Sequence, residues 1–72
     1  MDRFYTFKND PQTALLWMMS HVYKPLHDEN GNTVIYNYGN TLEYFHDDET
    51  EIISFDEFMD IFKDKTLEYR PE

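Results

Sequence analysis

The chain contains no cysteine. That excludes a disulfide framework and a thiolate zinc site, and it fits a reducing compartment. Glycine and proline are scarce, with 2 and 3 copies in 72 residues. Such scarcity excludes a Gly-rich phosphate loop and a flexible low-complexity linker. Basic residues number 6 against 15 acids, giving a formal net charge of −9. Direct nucleic-acid binding is disfavoured, because phosphates would be repelled. An anionic membrane surface is disfavoured for the same reason. The one strongly apolar run, "ALLWMM" (Ala14–Met19), is far shorter than the roughly 20 residues a spanning helix needs. No secretory leader is read. A soluble, cytoplasmic protein is expected.

What is present is aromatic and acidic. Rings make up 18 % of the chain: six Phe, six Tyr and one Trp. Each buried ring removes on the order of 150–250 Å² from water, which helps a chain this short to hold a core. The length fits one small globular domain spanning 1–72. The charge is concentrated. From Glu43 to Asp64 there are nine acids and one lysine, Lys63, a net charge of −8. Residues 1–42 hold four acids and three bases.

Local patterns predict an α+β fold. "RFYTF" (Arg3–Phe7) is aromatic and β-prone. A helix is predicted over about 11–23, with Asp10 as N-cap and Pro11 at its first position. Leu15, Met18, Met19 and Val22 form its apolar stripe, and Pro25 disfavours its continuation. Asn30-Gly31 signals a hairpin-type turn after a short strand near Leu26. "TVIYNY" and "TLEYFH" predict a hairpin over 33–46 around Gly39-Asn40.

The apolar pattern favours a three-residue loop in that hairpin, Tyr38-Gly39-Asn40. Only then do Val34, Tyr36, Leu42 and Tyr44 share one face, with Asn37, Glu43 and Ile35 on the other. "EII" (Glu51–Ile53) reads as a further strand after a tight acidic turn. A second helix is predicted over about 55–64, opened by a capping box of Ser54 and Glu57. Phe55, Phe58, Met59 and Phe62 form its stripe. Thr66–Tyr69 reads as a short edge strand stopped by Pro71. The expected architecture is a small antiparallel sheet of three to four strands, covered on one face by two helices.

The segment "IISFDEFMDIF" resembles the exit half of an EF-hand calcium loop. The resemblance implies Glu57 as the closing bidentate ligand at loop position 12, with Ile53 at 8 and Ser54 at 9. The entering half departs from the pattern. His46 stands at position 1, Thr50 at 5, and Glu51 at 6, where the loop needs glycine. Helix capping and a core stripe account for every matched residue. A degenerate EF-hand-like or other metal site at 46–57 is an alternative, but no metal ligand and no cofactor is expected.

No catalytic constellation is read either. Ser20 and Ser54 have helix-local explanations, His21, His27 and His46 read as ordinary surface histidines, and a charge run is usually a solvated face. The chain is therefore expected not to be an enzyme. The remaining features suit binding. Asp47, Asp48, Glu49, Glu51, Asp56, Glu57, Asp60 and Asp64 would form an acidic face. Such a face attracts basic protein surfaces. Its sharpest version mimics a DNA phosphate track and docks on a nucleic-acid-binding partner as an inhibitor. In composition the chain resembles small accessory proteins of bacteriophages and mobile elements. Leu16 and Trp17 lie off the core stripe, where the N-terminal strand or tail is expected to cover them; the alternative is an apolar interface, hence a self-associating structural or housekeeping module.

Overall fold

The computed structural model describes residues 3–21 and 24–70. Among them the elements run β1 (Tyr5–Lys8), α1 (Pro11–Ser20), β2 (Leu26–Asp28), β3 (Thr33–Asn37), β4 (Thr41–His46), β5 (Glu49–Ile53), α2 (Phe55–Phe62) and β6 (Thr66–Tyr69). The strands form one antiparallel sheet of six in the order β1-β6-β2-β3-β4-β5. The fold is α+β, as expected, but the sheet exceeds the expected three to four strands. Its extra width comes from β1, β2 and β6, short segments joined to one another by the long-range pairs of β6.

Both helices start as the sequence dictates. The Asp10 side chain accepts from the Thr13 backbone N–H at 3.1 Å, and Pro11 opens α1. That hydrogen bond holds the Asp10 carboxyl below its ordinary value. At α2 the Ser54 hydroxyl accepts from Glu57 N–H, and the Glu57 carboxylate reaches back to Ser54. α1 ends at Ser20 with His21 as its cap, shorter than the spacing predicted. Val22 and Tyr23, assigned to this helix from sequence, lie outside the described residues, as does Pro71. α2 ends at Phe62, two residues short of the expected end.

The β3–β4 register follows the three-residue loop. Asn37 pairs with Thr41, Tyr36 with Leu42 and Val34 with Tyr44, and Gly39 takes a left-handed φ of 76°. Val34, Leu42 and Tyr44 are buried toward the helices. Ile35 and Glu43 face the other way, where the Asn37 side-chain amide donates to Glu43. One expectation is corrected. Thr66–Tyr69 is not an edge strand; it lies between β1 and β2. Leu67 is fully buried there, and burial of an apolar residue on an interior strand is what holds β6 in that place.

The core lies between the sheet and the helices. Met18 of α1, Phe58 and Phe62 of α2, and Leu26, Val34, Leu42 and Leu67 of the sheet are all fully buried. Phe58 and Phe62 lie 5.1 Å apart with tilted rings, and Phe62 meets Tyr44 edge-on at 5.2 Å. Each such ring contributes roughly 1.5–3 kcal/mol by burial. Among the described residues no helix is long and apolar enough to cross a membrane.

Candidate functional site

The acidic residues fall into two groups. The first belongs to the β4–β5 hairpin. Its two-residue turn, Asp47-Asp48, has positive φ at both positions, 46° and 62°. This is the pattern of a type I′ turn, which twists with the strands and usually takes Asn-Gly. Asp tolerates the left-handed region better than most residues, but not freely. The turn projects both carboxylates into solvent. β5 then carries Glu49 and Glu51, which pair with His46 and Tyr44 on β4.

His46 sits inside this group. Its ring stacks on Tyr44 at 4.5 Å and is largely buried. Its Nδ1 is 3.9 Å from Asp47 and its Nε2 3.6 Å from Glu51. Both separations exceed hydrogen-bond distance, and among the described residues the buried Nε2 finds no hydrogen-bond partner. His46, read from sequence as a surface histidine, thus backs the acids rather than projecting with them. The cause is the pleat: His46 shares a face with Leu42 and Tyr44, toward the helices.

The second group belongs to α2 and the turn that follows it. Phe58 and Phe62 point inward, so Asp56, Glu57, Asp60 and Asp64 are exposed. Glu57 is held by the capping box. Asp60 lies 3.5 Å from Lys63, an exposed pair of small energetic weight. Asp56 and Glu57 in the first turn also face the positive end of the helix dipole. Among the described residues, Asp48, Glu49, Asp56 and Asp64 make no side-chain hydrogen bond or ion pair. All eight acids assigned from sequence are exposed.

The segment 46–57 is a strand end, a tight turn, a strand and a helix start, not an open loop. Among the described residues no group of three His, Asp or Glu side chains is arranged to hold a cation.

One feature escaped the sequence. Asp28, in a stretch read as turn, has a fully buried side chain. Its carboxylate accepts from the backbone N–H of Asn30 and Asn32, each at 2.9 Å, and from the Asn32 side-chain amide at 3.2 Å. Lys65 Nζ stands 3.4 Å away, after α2, and so ties the β2–β3 turn to the start of β6. The signal was Asp28 and Gly31, the first and last residues of a turn closed by Gly31 N–H to Asp28 O at 3.0 Å.

An aromatic flank answers the expectation for the first helix: the N-terminal strand covers Trp17 but leaves Leu16 exposed. Trp17 is ringed by Tyr5 and Phe7, each at 5.5 Å, by Tyr69 at 4.9 Å and by His21 at 4.1 Å. The ring is half-buried, with Lys24 over Tyr69 at 6.0 Å. Leu16 is 57 % exposed beside it on the helix.

Comparison with protein-family models, curated proteins and solved structures finds no significant match.

Proposed function

We propose that the protein is a non-enzymatic binding module that docks through its acidic face on a basic protein surface. The observation that carries this reading is the joint exposure of the acids on the β4–β5 hairpin and on α2, against a single neutralising lysine in that region. The core side of both elements is filled by Tyr44, Ile53, Phe58 and Phe62, so the acids are not needed for packing. A concentrated field of one sign steers association with an oppositely charged partner and fixes its orientation.

In its sharpest form the face imitates a phosphate track. The partner is then a nucleic-acid-binding protein, and the module acts as an inhibitor of the kind made by phages and mobile elements. Function would reside in the cell interior, without cofactor or metal.

The test uses the immobilised protein and a lysate, with bound proteins eluted by salt and identified by mass spectrometry. Neutralising Asp56, Asp60 and Asp64 to Asn is expected to lower the captured material by about tenfold, since three exposed pairs are each worth roughly 0.2–1 kcal/mol. Duplex DNA added as a competitor should release the captured partner. Capture unchanged by the triple substitution sinks the docking idea. Capture lost in the variant but indifferent to DNA sinks only the mimic.

A further inference from the structure

We infer that β5 accepts an extended strand from a basic partner, pairing along its outer edge with Lys or Arg at alternate positions. The inference rests on the acidic-docking reading and gives it a geometry.

β5 closes one side of the sheet. Its hairpin with β4 turns through Asp47-Asp48, so His46 and Glu49 form the first pair. In an antiparallel ladder, hydrogen-bonded pairs alternate with non-bonded ones. Glu49, Glu51 and Ile53 therefore direct their backbone groups to β4. Thr50 and Ile52 direct theirs outward, away from the sheet. An unpaired row of this kind is what strand addition requires.

The side chains state what such a strand would carry. Glu49 and Glu51 share the helix-covered face of the pleat and are exposed at its margin. Thr50 and Ile52 lie on the open face, which no helix covers. Ile52 is 72 % exposed, and Ile35 and Phe45 are half-buried near it on that face. A complementary strand alternates basic residues on one face with apolar or hydroxyl residues on the other. A second copy of β5 fits less well. In the antiparallel register that overlaps the whole strand, Glu51 would meet Glu51 of the copy, and like charges directly opposite destabilise pairing. The edge thus favours a basic strand over a second copy of itself.

The test uses isotope-labelled full-length protein and two synthetic peptides. One alternates lysine and valine; the other has the same composition with all lysines first. The alternating peptide is expected to bind about tenfold tighter and to slow amide hydrogen exchange at Thr50 and Ile52. Glu49→Lys with Glu51→Lys should cost it about tenfold in affinity. Ile52→Pro supplies a second variant, because it removes one outward donor and leaves the β4 ladder intact; it should weaken the alternating peptide alone. Equal binding of both peptides, with changes confined to α2, overturns strand addition and leaves acidic docking standing. Binding of neither peptide at low salt overturns both. Undiminished binding to the Ile52→Pro variant also overturns strand addition.

Discussion

The two flanks of the sheet solve the same problem with different side chains. At the β1–β6 flank, α1 is covered by rings: Tyr5, Phe7 and Tyr69 surround Trp17. No acid lies in the first turn of that helix, and its outer surface carries Leu16 and Ser20. At the β4–β5 flank, α2 buries Phe58 and Phe62 on one side and shows carboxylates on the other. Both flanks need an apolar stripe against the sheet. Only one adds a field of charge that packing does not require. The difference separates the side chains the fold buries from those it leaves exposed.

The largest expected effect lies beneath the acidic flank. Phe62→Ala removes a fully buried ring that touches Tyr44 and Phe58. It should cost about 4 kcal/mol, a large part of what a domain this small has. Trp17→Ala, on the half-buried aromatic flank, should cost roughly half of that. Urea unfolding of the two variants checks the ranking. If Trp17→Ala proved the costlier, the aromatic flank would be the true centre of the fold, and the contrast drawn above would reverse.

Next in size is Asp28→Ala, at the join between the flanks. It leaves the amides of Asn30 and Asn32 without their acceptor and strips Lys65 of its partner. An expected loss of about 3 kcal/mol follows from the unmet buried donors. A loss below that of an ordinary surface substitution would show that water replaces the carboxylate.

These sites differ in how far the sequence disclosed them. The helix starts were legible because Asp10-Pro11 and Ser54/Glu57 carry local chemistry that few other structures use. The hairpin register was legible because only one loop length puts Val34, Tyr36, Leu42 and Tyr44 together. The exposure of Asp56 and Asp60 followed from the phenylalanine spacing of α2. The place of β6 was not legible. "TLEY" reads alike on an edge or in the interior, and its neighbours β1 and β2 are far away in sequence. The burial of Asp28 was not legible for a related reason. Its burial depends on Lys65, 37 positions later, which no local pattern connects to it.

The smallest expected effect has the opposite sign. Asp47 and Asp48 occupy left-handed backbone at φ 46° and 62°, where Asn-Gly is the favoured pair. Replacing Asp47 with Asn and Asp48 with Gly relieves that conformation and removes two charges from a hairpin already rich in them. A gain of roughly 0.5–1 kcal/mol is expected, read as a rise in melting temperature. The β4–β5 register should be unchanged, because the turn type is the same. A gain would mean that the hairpin carries acids at a cost to its own stability. Residues that break a local rule without helping the fold are expected at functional sites. A loss would mean instead that the two carboxylates support the hairpin, with His46 beside Asp47 as the nearest cause. The acidic flank would then owe part of its charge to folding, and the division between the two flanks would be narrower than their surfaces suggest.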